Sequence, residues 1–299
     1  MNIESIDKKL LAQNIKTEKK LNFSLEVFPP KDDPDGEKLN NLIEELKILK
    51  QYKPSLVSIT YGAGGLGSRE KTLTCAKKIK EELKLNCMPH FTCVDSTFGF
   101  VLKYINDINK LGFNNILALR GDKLKNDNTQ NNIKSDFDYA CDLIKFIKTN
   151  SSINVSAAGY PEGHSEAKSL DDDLKILKIK VDYGASSIYT QLFFDNEKFY
   201  IYFEKAKKLN INIPIIPGIL PITSFNQTYK MTQMCHASIP QKLFQKLEKY
   251  QNEKQAVFEI GYEHACTQIK ELINFGIGEV HFYTLNKAKS TQNILIECL

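Results

Sequence analysis

One carboxylate interrupts an apolar run near the start of the chain, Ser24-Leu25-Glu26-Val27-Phe28-Pro29-Pro30. The run reads as a short strand, so Glu26 shares a face with Ser24 and Phe28, and the two prolines end the strand at once. Glu26 is therefore placed near the carboxyl end of its strand. There it is either a catalytic group or a carboxylate satisfied by a neighbouring Lys or Arg.

Polar residues also end two later predicted strands. Arg120-Gly121-Asp122 follows the fourth strand, and Gln191 ends the sixth. Arg120 offers a fork of donors for a phosphate or carbonyl, and Gly121 lets a planar ligand approach the backbone. Gln191 donates and accepts together, which suits an amide-like heterocycle. For Arg120 and Asp122 a structural salt bridge is the alternative.

The third predicted strand contains Cys87, His90 and Cys93, which are all metal-ligand types. In an extended strand the two cysteines share one face and His90 points to the other, so the three cannot bind one ion. We therefore predict no metal site and two buried thiols that face the helix layer. His90 is either a hydrogen-bonding group for a ligand near the rim or a satisfied core histidine.

A glycine-rich run, Gly62-Ala63-Gly64-Gly65-Leu66-Gly67, matches the dinucleotide-binding pattern G-x-G-x-x-G. That pattern belongs after the first strand of its domain, with an acidic residue about 20 positions further on. Here the run follows the second strand, and the candidate acid, Asp95, comes too late. We interpret the glycines as a flexible loop at the mouth of a barrel.

The segment after the fifth predicted strand brings together an aromatic ring and an imidazole, Tyr160 and His164. A mobile loop is the alternative for this segment. The helix that follows carries Asp173 and Lys180 along one edge, for which a solvated charged face is the simplest account.

Eight strands, each followed by helical periodicity, must position these residues. Eight βα units without a linker favour a closed α/β fold, a single (β/α)8 TIM barrel, over an open doubly wound sheet. We also predict an additional N-terminal helix, and two or three extra helices over 223–275, before strand eight. The predicted strands are the run around Glu26, 55–61, 87–92, 114–119, 153–158, 186–190, 213–217 and 279–283.

Composition limits the classes of partner. The chain has 299 residues, 42% hydrophobic and 25% charged, and a net charge of +4 with scattered basic residues, which argues against nucleic acid or membrane. No segment resembles a signal peptide or a membrane span, so we expect a cytoplasmic protein. Seven cysteines without CxxC spacing indicate reduced thiols.

The motifs of several hydrolase classes are missing from the sequence. It contains no G-x-S-x-G and no HExxH, which leaves nucleophilic and metal-dependent hydrolysis unsupported. The candidate residues bind and protonate well, but none moves electrons, so redox chemistry would require an organic cofactor.

Taken together, these pieces resemble the bacterial methylenetetrahydrofolate reductases, and the resemblance runs almost from end to end. The matching segments are Ser24 to Pro30, Val57 to Ala63, Pro89 to Cys93, Ala118 to Asp122, Tyr160 to Ser169, Thr190 to Asp195, Ile216 to Pro221 and His281 to Asn286. The resemblance implies one FAD-binding (β/α)8 barrel domain over 1–299, without a regulatory domain.

The activity implied by the resemblance belongs to one-carbon metabolism and methionine synthesis. NADH or NADPH reduces FAD and leaves, and 5,10-methylenetetrahydrofolate then accepts the hydride to give 5-methyltetrahydrofolate. Glu26 matches the catalytic acid, which a protonated carboxyl near neutral pH would suit. Asp122 matches the second catalytic acid, whose negative charge would stabilise a cationic folate iminium.

The resemblance also assigns binding positions. Those that match FAD contacts are Thr60, Tyr61, His90, Arg120, Gly121, Asp122, Ala140, Tyr160, His164, Asp173 and Lys180. Those assigned to substrate are Gln191, Gln227, Tyr283 and Lys287.

Three positions depart from the family pattern. Ile176 and Ile179 stand where polar and basic FAD contacts are expected, and Met231 stands where an aromatic ring can stack on the nicotinamide. Met can still pack against a flat ring. The resemblance further implies a homo-oligomer. Two alternatives stay open: a barrel enzyme that acts on a pterin without flavin, and a catalytically silent folate-binding protein.

Overall fold

The protein is a closed barrel of eight parallel strands. The computed structural model describes residues 21–30, 32–61, 67–94, 96–121 and 135–299, without the side chains of 67 and 68. Each strand pairs with its neighbours in sequence, and the eighth pairs back with the first. The strands are β1 Asn22–Val27, β2 Val57–Ile59, β3 Cys87–Thr92, β4 Asn115–Leu119, β5 Asn154–Gly159, β6 Ala185–Leu192, β7 Ile215–Ile219 and β8 Glu279–Tyr283.

Helices lie between the strands, as the barrel prediction requires. Within the described ranges they are α1 Glu37–Lys50, α2 Gly67–Leu83, α3 Phe98–Lys110, α4 Ala140–Asn150, α5 Leu170–Asp182, α6 Asn196–Lys208, α7 Phe225–Cys235, α8 Gln241–Lys249, α9 Lys254–Phe275 and α10 Ala288–Cys298. The extra segment before β8 therefore consists of three helices, α7 to α9. The predicted N-terminal helix and most of the glycine-rich run lie outside the described residues.

Helix α5 shows how local sequence sets the elements that matter for the site. Ser169 caps the helix by accepting a hydrogen bond from the Asp172 amide, and three aspartates occupy the first turn. Their charges favour the positive end of the helix dipole. Leu174 and Leu177 face the core. The buried face also includes two charged residues, Asp173 and Lys180, for which a solvated face was the simplest account from the sequence.

Two apolar layers hold the barrel together. The outer layer lies between strands and helices and contains one residue of each alternating pair, such as Leu25 and Val27 of β1. The inner layer is small and consists of Met88, Leu117, Tyr189 and Ile216. The remaining inward positions are mostly polar, so the barrel interior has room for hydrogen-bonding groups near its mouth.

Five strands, β2 and β4 to β7, differ from their predicted bounds by one or two residues at an end, and two of these differences concern the site. β2 spans only Val57–Ile59, shorter than the predicted 55–61. β6 continues to Leu192, so Gln191 lies within the strand and not at its end. The pairing of β6 with β7 shifts register between Tyr189 and Leu192. That irregularity depends on the neighbouring strand, so the pattern of β6 alone did not reveal it.

The three extra helices pack on the carboxyl ends of the last strands. A second apolar cluster joins Leu192 and Leu220 to Leu247 and Val257. The side chains of Met231 and Tyr283 are partly buried against this cluster. The inserted helices therefore form one wall beside the barrel mouth. Among the described residues, no helix is long and apolar enough to cross a membrane.

Two helical glycines give a matched test of this packing. A Cβ at Gly261 of α9 would stand 2.1 Å from the backbone oxygen of Ile222, whereas a Cβ at Gly99 of α3 would meet nothing within 4 Å. We expect Gly261→Ala to destabilise the protein by about 1–3 kcal/mol through overpacking. Gly99→Ala should stabilise it by about 0.5–1 kcal/mol because alanine favours the helix. Urea unfolding measures both, and equal effects would contradict the packing.

Candidate functional site

Glu26 lies inside the barrel between two imidazoles. Its Oε2 is 3.7 Å from Nε2 of His90 and 3.6 Å from Nε2 of His281. The side chains of all three residues are almost fully buried. A buried carboxylate requires polar neighbours, and here they come from β3 and β8, on either side of the β1–β2 pair. No Lys or Arg forms an ion pair with Glu26 within the described part of the chain, so the simpler sequence interpretation does not hold there.

His281 is fixed by two serines on neighbouring strands. Its Nδ1 lies 2.8 Å from Ser24 Oγ, and its Nε2 lies 3.3 Å from Ser58 Oγ. The ring also contacts Tyr189 edge-on, with 4.9 Å between ring centroids. The sequence analysis did not select His281 as a site residue. The signal was available, because His281 lies two positions before Tyr283 and therefore shares its inward face of β8.

His90 is a neutral imidazole at physiological pH. Burial lowers its pKa to about 4, with the Glu26 carboxylate opposing that shift and His281 adding to it. Its Nε2 is buried and forms no hydrogen bond to any described residue. A buried nitrogen of this kind can donate to or accept from a ligand. His90 therefore lacks the satisfied ring nitrogen expected of a core histidine, and its contact with a ligand stays a prediction.

Tyr283 and Gln191 lie near the mouth, next to β7. The Tyr283 hydroxyl donates to the Thr190 carbonyl oxygen at 2.8 Å. Its ring lies so close to Gly218 that a Cβ there would be 2.6 Å from it. The Gln191 side chain is half-buried, and its Oε1 accepts a hydrogen bond from the amide of Leu192 at 2.9 Å. Its amide nitrogen is then directed away from that contact.

Arg120 and Gly121 follow β4 at the same end of the barrel. Arg120 forms a bidentate pair with Glu166, one arm of which is 2.7 Å long. This pair raises the pKa of the guanidinium above its usual range. Gly121 has φ +84°, and a Cβ on it would stand 2.8 Å from Thr92 Cβ. Asp122, the second predicted catalytic acid, lies outside the described residues.

The charged edge of α5, for which a solvated face was the simplest account and FAD contact the alternative implied by the resemblance, is buried. Asp173 and Lys180 are 5% and 8% exposed. Burial lowers the pKa of the Lys180 ammonium, with Asp173 opposing, and burial raises the pKa of Asp173, with Lys180 opposing. Lys180 donates to the Ala158 carbonyl oxygen at 3.0 Å and lies over the Tyr160 ring. The solvated-face interpretation was therefore wrong.

The loop between β5 and α5 is held over this buried pair. The rings of Tyr160 and His164 meet edge-on at 4.8 Å, and His164 Nδ1 accepts from the Glu166 amide. Asp173 accepts a backbone hydrogen bond from His164. The structure thus brings together four of the predicted FAD positions, Tyr160, His164, Asp173 and Lys180, and links them through Glu166 to Arg120.

The other predicted residues are more dispersed. Thr60 Oγ1 is buried without a hydrogen-bond partner in the described ranges, whereas Tyr61 packs outward against the Phe91 ring. Ala140 is buried as the first residue of α4. Gln227 is exposed on α7. Lys287 is exposed beyond β8 and pairs with Glu45 of α1 at 3.3 Å.

The residues that depart from the family pattern have different environments. Ile176 and Ile179 are exposed on α5, at 44% and 37%. Met231 is partly buried against the cluster of the inserted helices. Within the described ranges, no three His, Cys, Asp or Glu side chains are placed to hold a metal ion.

Sequence comparisons identify related proteins. Residues 10–298 match the family model described as methylenetetrahydrofolate reductase. The 5,10-methylenetetrahydrofolate reductase of Salmonella typhimurium is 37% identical over 274 residues, which cover 92% of this chain and 89% of the relative. Methylenetetrahydrofolate reductase 1 of Schizosaccharomyces pombe is 35% identical over 292 residues. The match covers 97% of this chain but 47% of that longer relative.

Structural comparisons agree on the fold. A Clostridium thermocellum protein described as binding two copies of 5-methyl-5,6,7,8-tetrahydrofolic acid superposes with TM-score 0.63 and 14% identity, covering 93% of this chain and 94% of that one. A Xanthomonas albilineans dihydropteroate synthase gives TM-score 0.52 and 8% identity, covering 93% and 91%. At these identities the likeness concerns the barrel alone.

The lowered pKa of His90 makes stability depend on pH. Between pH 6.5 and about 4 the unfolded chain binds a proton at this position that the folded chain does not. As the pH falls from 6.5 to about 4, the free energy of unfolding should therefore decrease by ~1.4 kcal/mol per pH unit, about 3 kcal/mol in all. We expect His90→Gln to remove this part of the slope in urea unfolding between pH 7 and 4.

His264 of α9 provides the matched variant, because burial also lowers its pKa to about 4. His264→Gln should reduce the slope by a similar amount from outside the barrel. If His264→Gln reduces the slope and His90→Gln does not, His90 is not held neutral in the folded protein.

Proposed function

We propose that this chain, which belongs to the methylenetetrahydrofolate reductase family, reduces 5,10-methylenetetrahydrofolate with NAD(P)H through bound FAD. Family membership supports the folate reaction. FAD, the hydride donor and the ping-pong order, in which one substrate leaves before the next binds, are the finer parts of the proposal. The observation that carries it is Glu26, a buried acid beside two imidazoles at the barrel mouth.

The residues present fit a flavin dinucleotide. Thr60 offers a buried hydroxyl without a partner among the described residues. At Gly121 the φ of +84° and the nearby Thr92 side chain exclude a Cβ, so the backbone there carries no side chain that would keep a flat ring away. Lys180 provides a buried cation, and Arg120 a planar one, for the negatively charged diphosphate. We propose that these residues, with Tyr160, His164 and Asp173, hold FAD.

The chemistry that bound FAD would supply is hydride transfer between the nicotinamide and the methylene carbon of the folate. The chain supplies proton transfer and positioning. Glu26, as the acid, would place a proton on the folate nitrogen that leaves the methylene carbon when the five-membered ring opens. Burial keeps His90 neutral, so this ring places no positive charge beside Glu26.

Several assignments for the folate rest on position. Gln191 and Tyr283 lie on inward-facing positions of β6 and β8, and we propose that both contact the pterin ring. Gln227 on α7 and Lys287 beyond β8 are exposed, where they would meet the outer part of the substrate. Asp122 follows Gly121 directly, and we propose that its carboxylate stabilises the cationic folate.

An anaerobic absorbance titration tests the function. The purified protein should show a flavin band after incubation with FAD, lose it on addition of NADH, and regain it on addition of methylenetetrahydrofolate. We expect Glu26→Gln to keep the NADH step within about twofold and to slow the folate step by at least about 100-fold, as loss of a general acid does. Glu204→Gln, exposed on α6, is the control.

The outcomes separate the alternatives. A protein without a flavin band, even after incubation with FAD, would sink the proposal and favour a barrel enzyme that acts on a pterin without flavin. A flavin that NADH reduces but that no folate reoxidises would contradict the assignment of the second substrate.

Lys180 and Lys178 give a second matched test. Both lie on α5, but Lys180 is buried beside Tyr160, whereas Lys178 pairs with Asp182 on the more exposed side. We expect Lys180→Met to weaken FAD binding by about tenfold or more, the effect of losing one charge-assisted contact. Lys178→Met should leave affinity unchanged. Quenching of flavin fluorescence measures both, and equal affinities would exclude Lys180 from the FAD site.

A further inference from the structure

The end of β1 is held by the loop that follows β8. Regular pairing of the two strands ends where Glu26 faces Tyr283. Beyond that point Thr284 takes over, because its hydroxyl donates to the Glu26 carbonyl oxygen at 2.7 Å and its amide donates at 3.3 Å. The backbone of the proposed catalytic acid is therefore bonded to the β8 loop directly.

Asn286 continues this attachment with its side chain. Its Oδ1 accepts a hydrogen bond from the Phe28 amide at 2.8 Å, and its Nδ2 donates to the Phe28 carbonyl oxygen at 2.7 Å. A carboxamide has the same donor and acceptor as a peptide group. Asn286 thus adds one more pair of hydrogen bonds between the two segments, beyond the last residues that pair through their backbones.

The loop adopts an unusual backbone conformation to do this. Leu285 and Asn286 have φ of +50° and +59°, the left-handed region that residues other than glycine rarely adopt. The Asn286 amide donates to Thr284 Oγ1 at 3.2 Å, which closes the turn. Leu285 packs against the apolar cluster of the inserted helices. Backbone strain that is maintained by surrounding contacts is characteristic of functional sites.

We propose that Asn286 is a positioning residue for Glu26. The carboxylate is 3.6 and 3.7 Å from the imidazole nitrogens, beyond ordinary hydrogen-bond length, so those rings do not fix it. Its place is set by its own backbone, which Thr284 and Asn286 hold on either side of Val27. A displacement of about 1 Å at a reacting group can cost about 100-fold in rate. The proposal rests on the proposed function for the role of Glu26.

The test compares one substitution at two asparagines with the same backbone conformation. Asn286→Gly keeps a left-handed φ and removes both bonds to Phe28. Asn210→Gly is the control, since Asn210 has φ +58° in the turn between α6 and β7, at the opposite end of the barrel. Asn286→Asp keeps the acceptor for the Phe28 amide but turns a carboxylate oxygen toward the Phe28 carbonyl oxygen.

Hydrogen exchange measures the attachment without any activity. We expect peptides that cover residues 22–30 to exchange at least about tenfold faster in Asn286→Gly than in the wild type. Asn286→Asp should lie between them, and Asn210→Gly should match the wild type in this segment. Unchanged exchange of residues 22–30 in Asn286→Gly would overturn the proposal.

The two half-reactions then test positioning. Asn286→Gly should slow reoxidation of the reduced flavin by methylenetetrahydrofolate at least about tenfold, while reduction by NADH changes less than about twofold. In a Glu26→Gln background the same substitution should add no further loss, because its effect acts through that carboxyl. Equal losses in both half-reactions, or a full additional loss in the double variant, would overturn the proposal. If the wild type lacks both half-reactions, the proposed function fails, and exchange alone decides whether Asn286 holds β1.

Discussion

The pairing of β1 with β8 is the interaction on which the site depends. It closes the barrel, and it brings together residues that are more than 250 positions apart in the chain. Ser24 faces His281, and Glu26 faces Tyr283. Because the pairing is parallel and in register, the inward side chains of both strands meet in the same layer. Without this closure Glu26 would lie on an open edge and be exposed to water.

The interior of the barrel accepts polar groups because other groups satisfy most of them. Two serines hold His281, and a tyrosine hydroxyl satisfies the Thr190 carbonyl oxygen. The exceptions are informative. His90 Nε2 and Thr60 Oγ1 have no hydrogen-bond partner among the described residues, and both lie on inward positions near the mouth. Burying unpaired polar atoms is costly, which is why we propose that a ligand contacts these two atoms.

Helix α5 buries charged side chains and exposes apolar ones, the reverse of the usual arrangement. Lys180 and Asp173 are buried beside the loop after β5, whereas Ile176 and Ile179 face solvent. Periodicity predicted the apolar stripe of Leu174 and Leu177 correctly. It could not predict that the charged edge is covered, because the cover is provided by the neighbouring β5 strand and the loop that follows it. Long-range contacts overrode the usual rule that charges lie outside.

The sequence by itself determined the barrel, its eight strands within a few residues, and the face on which Glu26 and His90 lie. The strands and their faces follow from the alternation of side chains within single segments, and the barrel follows from the order of those segments along the chain. Only the tertiary structure decided that His281 stands beside Glu26, that Arg120 pairs with Glu166 and that Asn286 binds Phe28. Each of these contacts joins residues from different βα units, and their distances depend on strand register and closure, which no single segment encodes.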